Sequence, residues 1–545
     1  MSYEKLEARF RELAHLEHAK EMLEWDEAVM MPAGGGEARG QAMATLAGIT
    51  HEKLCAPELG DLFAAAQHTG AERSFMQKAN LREMLRVWRD ATALPADLVR
   101  ARQIAVTRCE QVWREKRANN DWQGVLPHLQ EVLARVRDVA TCYLEADATR
   151  VVHTPEFSAH SAAGASGGKV ERTSTAARGS AAYDTALYDT LLTRHQPGIG
   201  SAEVDQIFSG LQVFLPDLIE QVRSAQPHCL PFVASYSVAR QQALGERLMR
   251  MLGFDFEHGR LDVSHHPFTG GVPDDTRITT RYAESSFLPA QMGVLHETGH
   301  GLYAQGLPAA WREQPIGTAA GMAVHESQSL LMEMQVARSK PFLAHVAPIM
   351  CEMLEGERPS AGAPTDAPRT GEKWSGENLY RHATQVRPGF IRVDADELTY
   401  PLHVIIRFDL ERRLLSGRLP LADLPDAWDL AMREYLGLST RGNDRDGCMQ
   451  DVHWFAGSFG YFPCYTLGAL MAAQLFAAAR RAIPNVETLI GNGDLGALRE
   501  WLRAQVHGRG RLFSLQELMV EVCGERLDAR YFQEHVQRRY LRQAW

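Results

Sequence analysis

Five residues in the middle of the chain, His296-Glu297-Thr298-Gly299-His300, have the types and spacing that metal-assisted hydrolysis needs. Residues four apart share one face of an α-helix, so both imidazoles can address a single ion. The glutamate of such a motif is not a ligand; it accepts a proton from the water that the ion activates. The competing reading is a surface helix with incidental histidines. A third ligand separates the two, because a catalytic zinc site takes three protein ligands and keeps one position open. The stretch Gly321 to Arg338 reads as a second helix, and it carries His325-Glu326-Ser327-Gln328. Glu326 lies 30 residues after His296, room for a turn and an antiparallel helix. By spacing alone Glu333 and Glu313 are rivals, and His325 is a further candidate that points another way on a helix than Glu326.

The elements that must hold these residues are almost all helical. The motif helix is expected to start near Ser285 or Ser286 as N-cap, with Pro289 in its first turn. It should stop near Gln305, before Gly306 and Pro308. Upstream, apolar residues recur every three to four positions from Tyr3 through Leu6, Phe10, Leu13 and Leu16 to Met22 and Leu23. Further helices are expected over about 37–54, 71–92, 96–119, 122–152, 201–224 and 236–253. Residues 260–282 differ. RLDVSHH and TRITTRY alternate and contain β-branched residues, so they read as two short strands joined through Gly270-Gly271 and Pro273-Asp274. The fold expected is mainly α, with a short β-hairpin beside the motif helix. Residues 156–181 and 356–374 are rich in small residues and proline and read as flexible surface insertions within a single unit spanning 1–545.

Composition narrows the class of function. At 45% hydrophobic and 23% charged residues, the chain reads as an ordinary globular protein. A net charge of −10 supplies no basic field, which argues against nucleic acid as a partner. The most apolar run, Leu467 to Ala479, contains Gln474 and is too short to span a bilayer, so a buried core helix is expected and no membrane partner. The opening MSYEKLEARF has no apolar signal core, and the eight cysteines are scattered without a CxxC pair. Both features carry the expectation of a reducing, cytoplasmic location.

Six short motifs, in order, resemble the carboxypeptidase Taq family of metallocarboxypeptidases. They are HPF at His266-Pro267-Phe268, DxRxT at Asp275 to Thr279, the HExxH, and HESQ at His325 to Gln328. IRxxAD follows at Ile391 to Asp396 and GxxQDxHW at Gly447 to Trp454. LEWD at Leu23 to Asp26 and Met31-Pro32 look like the family's opening helix, so the similarity runs along nearly the whole chain. The resemblance implies that His296, His300 and Glu326 bind the metal and that Glu297 is the general base. It also implies a two-lobed helical body with a deep groove, a homodimer, and zinc, or else cobalt, as the ion, one per chain. The segments 156–181 and 356–374 look like insertions relative to the family's usual length.

The expected activity is removal of single residues from peptide C-termini, and a metallo-oligopeptidase cutting inside short peptides is the alternative. An oxyanion needs a donor, and His453, Tyr461 and Tyr465 in the run HWFAGSFGYFPCY are the candidates. Core aromatics would look the same. A free terminal carboxylate needs a cation, for which arginine's planar fork is suited. Arg392 is the first choice and Arg277 the second. Their rivals are ion pairs, with Asp394 or Asp396 for Arg392 and with Asp275 for Arg277. His266 is a further substrate contact or only the end of a strand. The outer ring nitrogens of the metal histidines need acceptors, for which Asp396, Asp451 and Gln328 are candidates.

Overall fold

The computed structural model describes residues 2–68, 73–150, 179–232, 235–355 and 370–542. The architecture is all-helical apart from one small three-stranded sheet among these residues. Most of the two expected insertions, 156–178 and 356–369, lies outside the described residues.

The expected helices form with shifted ends. The one read from residue 71 begins at Phe75, because Ser74 caps it: its hydroxyl takes the Gln77 N–H while the Gln77 side chain takes the Ser74 N–H. Two apolar clusters organise the chain. The first helix, Ser2–Val29, contributes Tyr3, Leu6, Phe10 and Leu13 to a small cluster with Leu59, Phe63, Leu81 and Met84. The other cluster runs from the helix Ala96–Ala118 through to Val536. At its centre lies the helix Pro463–Ala482, with 15 of its 20 residues buried, so the apolar run is core. Gln474 fits there because its amide bonds the Arg526 carbonyl and its oxygen takes the Asp528 N–H. No helix among the described residues is long and apolar enough to cross a membrane.

The strand region corrects the expected two-stranded hairpin. There are three strands, β1 (Gly259–Val263), β2 (Phe268–Val272) and β3 (Asp275–Thr280), in the order β1-β3-β2. RLDVSHH does not turn back on TRITTRY; β1 runs parallel to β3, and the hairpin partner of β3 is β2. Gly270 and Gly271, taken for the turn, are strand residues, and the reversal is made by Pro273 and Asp274 alone. Glycine hides a strand from propensity reasoning, since it is a turn former by default.

The motif helix spans Leu288–Gly306. Neither Ser285 nor Ser286 caps it: Phe287 is the N-cap, already in a helical conformation and with no side-chain bond, and Pro289 lies in the first turn. The helix is clamped from two sides. A Cβ on Gly299 would come within 2.5 Å of the Gln328 carbonyl oxygen, on the helix Met322–Leu330. A Cβ on Gly301 would come within 2.7 Å of the Phe254 ring and 2.8 Å of Ile278 Cδ1 on β3. Positions two apart point about 200° apart around a helix, so the two glycines open opposite sides of it. Gly299→Ala is therefore expected to cost about 1–3 kcal/mol through forced backbone separation. At Gly293, where the nearest atom to an added Cβ is Thr280 Oγ1 at 3.9 Å, alanine should be neutral. Calorimetric melting of the two variants checks this; equal midpoints would contradict the clamp.

Candidate active site

The helix Met322–Leu330 carries Glu326 and starts at Gly321, whose φ of 148° needs glycine. Its first free N–H groups, on Ala323 and Val324, are taken by Gln196 Oε1 at 2.9 and 3.3 Å. On its other side it lies against the core helix, where a Cβ on Gly468 would meet Glu326 Cβ and Cγ at 2.7 Å. From Leu331 to Ala337 the helix widens into a π-helix, a form that commonly marks functional segments. This stretch carries Glu333.

His296, His300 and Glu326 offer one ligand atom each, all within 4.8 Å of one another. Glu326 Oε2 lies 3.4 Å from His300 Nε2 and 4.0 Å from His296 Nε2. Ligands held tetrahedrally at about 2.0–2.1 Å from zinc would stand about 3.3 Å apart, so two imidazoles and one carboxylate at these separations fit a zinc-type ion. Of the rival carboxylates, Glu313 is at the surface, bonded to Arg11 and His15. Glu333 lies behind the ligands.

The acceptors for the outer ring nitrogens are Glu333 and His325, not the expected Asp396, Asp451 or Gln328. His296 Nδ1 lies 2.9 Å from Glu333 Oε2, and the other oxygen of Glu333 takes Arg338 Nη2 at 2.7 Å. His300 Nδ1 lies 2.6 Å from His325 Nδ1. Burial drives the His325 pKa well below the usual imidazole range, so its ring is neutral and can accept. Asp396 instead takes the N–H groups of Arg387, Leu398 and Thr399, and Gln328 holds His507. Seven residues separate Glu326 from Glu333, nearly two helical turns, and that spacing was the one available signal for Glu333. Burial opposes a charged His296, yet Glu333, Glu326 and Glu297 outweigh it and raise its pKa to about 10. The same carboxylates make the pocket a place for a cation.

Glu297 is buried, and its Oε2 accepts a hydrogen bond from Thr269 Oγ1 on β2 at 2.7 Å. Beside Glu326 stands a cationic cluster. Arg392, 4% exposed, gives Nε and Nη2 to the two oxygens of Asp451 at 3.1 and 3.0 Å. Arg407 bonds the same carboxylate through Nε at 2.8 Å. Two buried guanidiniums share one carboxylate, which leaves a net positive charge. Burial and the neighbouring Arg392 lower the Arg407 pKa to about 10, against the pull of Asp451. The rivals foreseen for Arg392, Asp394 and Asp396, do not pair with it. Asp451 lies 59 residues from Arg392, and no local spacing joins the two beforehand.

The aromatic candidates converge here as well. Tyr465 hydroxyl lies 3.1 Å from His453 Nε2, and the Arg392 guanidinium stacks on the Tyr465 ring at 4.6 Å. Tyr461 contacts the rings of both Tyr465 and His453. Burial lowers the His453 pKa to about 3 and raises that of Tyr465 to about 12, so both are neutral near pH 7. Tyr400, which sequence reasoning passed over, has its ring 6.2 Å from that of Tyr465 and feels the charges of Glu326 and Arg392. The other two expected substrate contacts are placed differently. Arg277 is held by Asp275 at 2.5 and 2.9 Å and stacks on Trp25. His266 is exposed on the segment between β1 and β2, its ring against that of His265.

Comparison with known proteins gives the same answer as the geometry. The model of the carboxypeptidase Taq (M32) metallopeptidases matches residues 5–152 and 169–540. The chain belongs to that family. It is a metallocarboxypeptidase, a peptide hydrolase, and the family implies a divalent metal. It is 33% identical over 544 residues to thermostable carboxypeptidase 1 of Thermus thermophilus, covering 99% of this chain and 98% of the relative. Among solved structures it is similar to metallocarboxypeptidase 1 of Trypanosoma cruzi, with a TM-score of 0.87, 35% identity and 99% of each chain covered. It is also similar to the M32 carboxypeptidase of Deinococcus radiodurans R1, with a TM-score of 0.86, 31% identity, and 99% of this chain and 98% of that one covered.

Replacing Glu333 by Gln keeps its shape but removes the charge behind His296. Divalent-ion affinity, read by chelator competition, is expected to fall about 10–100-fold. Unchanged affinity would show that His296 needs no carboxylate behind it.

Proposed function

We propose that the protein removes single residues from the C-termini of peptides, with His296, His300 and Glu326 as ligands of one ion per chain and Glu297 as general base. Zinc is the first expectation for the ion and cobalt the second. Such an ion supplies Lewis-acid chemistry, acidifying water and polarising a carbonyl oxygen. Glu297 takes the proton of the attacking water and hands it to the leaving amine nitrogen as the C–N bond breaks. Tyr461, Tyr465 and His453, all neutral, are the donors this reading assigns to the oxyanion that forms on the carbonyl. A homodimer accompanies this reading through the family resemblance, and a cytoplasmic location through the scattered cysteines and the N-terminal sequence.

The observation that carries the exopeptidase reading is the buried positive surplus at Arg392 and Arg407 beside Glu326. Asp451 takes Nε and Nη2 of Arg392, and no hydrogen bond to Nη1 is made among the described residues. The Nη1 edge is thus available to a second carboxylate, that of the peptide terminus. Asp275 takes the same two groups of Arg277, Nε and Nη2; what sets Arg392 apart is that Arg407 shares its carboxylate.

Two results are expected. Glu297→Gln should retain the ion yet lose about 10²–10⁴-fold in kcat. Chelator titration and steady-state rates check it, and an active Glu297→Gln enzyme contradicts the base assignment. Arg392→Ala should lower kcat/KM on free peptides about a hundredfold while sparing C-terminally amidated ones. Mass spectrometry of the products supplies the control. Amidated peptides cut as fast as free ones by the unaltered enzyme would favour an oligopeptidase.

A further inference from the structure

We propose that Thr269 is a positioning residue that holds the Glu297 carboxylate by Oε2 and presents Oε1 to the reacting water. The inference rests on the reading of Glu297 as general base. Thr269 Oγ1 stands 2.7 Å from Glu297 Oε2 and 3.1 Å from the Glu297 carbonyl oxygen. A hydroxyl has one hydrogen to give, and the carboxylate is the stronger acceptor at the shorter distance. Among the described residues no other group hydrogen-bonds this carboxylate, so Oε1 has no protein partner and is the oxygen left for water.

The threonine can do this because its strand is fixed against the motif helix. In the antiparallel pair of β2 and β3, Thr269 lies opposite Ile278, which puts both side chains on one face of the sheet. Ile278 meets the motif helix at Gly301 and Thr269 meets it at Glu297, one turn earlier. The cross-strand pair therefore straddles one turn of helix, and Gly301 sets how near the sheet comes. The rest of the hairpin is tied down too. Thr279 Oγ1 accepts the Phe268 N–H at 3.1 Å, and Glu21 of the first helix accepts the Gly271 N–H at 3.4 Å. A β-branched side chain on such a strand has few rotamers to choose from. The DxRxT and HPF segments thereby serve the base: they hold the strand that aims it.

Thr269→Val keeps the shape and removes the hydroxyl, and Thr269→Ser keeps the hydroxyl. Rates on a free peptide, ion affinity by chelator competition and melting temperature are measured for both. Thr269→Val is expected to lower kcat about tenfold or more, because a misaimed base loses orientation. KM, ion affinity and melting temperature should stay near those of the unaltered enzyme, and Thr269→Ser should restore most of kcat. A crystal structure of Thr269→Val should show the Glu297 carboxylate in more than one rotamer. In a Glu297→Gln background, Thr269→Val should cause no further loss. Unchanged kcat in Thr269→Val overturns the proposal, as does a loss that Thr269→Ser shares, or one matched in ion affinity or melting temperature. If Glu297→Gln is inactive while Thr269→Val is fully active, only the positioning role fails; if Glu297→Gln is active, the base assignment fails first.

Discussion

His296, His300 and Glu326 can reach one point only because two helices touch backbone to backbone at Gly299. The motif helix and the helix of Glu326 approach so closely there that a methyl group would strike the Gln328 carbonyl. On the far side, Gly468 lets the core helix press directly on Glu326. The active site is thus the middle of a stack: core helix, glutamate helix, motif helix, sheet. Each contact in the stack is made through a glycine or a small side chain, so the spacing is set by backbone and leaves little slack. Side chains that must address one ion within a few tenths of an ångström need this kind of support.

The stack also sorts charge. Around His296 stand three carboxylates, Glu297, Glu326 and Glu333, and behind Glu333 a single arginine, Arg338. On the other side of Glu326, Arg392 and Arg407 share Asp451. A buried region short of positive charge adjoins one short of negative charge. The first suits a divalent cation, and the proposed function assigns the second to a peptide's terminal carboxylate. The whole chain's charge of −10 has little bearing on either, because burial makes the local pairs dominate.

Much of this was legible before any coordinates. Helical periodicity placed the helices to within a few residues, and the apolar run at Leu467 proved to be core. The misses have physical reasons. Glycines at 270 and 271 look like a turn, yet β3 recruits them as strand, so the sheet has three strands where two were expected. Ser285 and Ser286 are good caps by type, but Phe287 already has helical geometry and they are left outside. The rival partners weighed for Arg392 were aspartates of its own motif, whereas the carboxylate that holds it, Asp451, comes from another, 59 residues away.

The sequence by itself determined what repeats locally. The i, i+4 placement of two histidines and the helix that carries them follow from residues close together in the chain, where helical geometry is known in advance, and the family follows from short motifs that each read locally. The tertiary structure decided what backs each of these groups: Glu333 and His325 behind the two histidines, Asp451 and Arg407 around Arg392, Thr269 on the Glu297 carboxylate. Those choices depend on which faces of distant elements meet, and on how near glycines allow them to come. No local spacing encodes that distance.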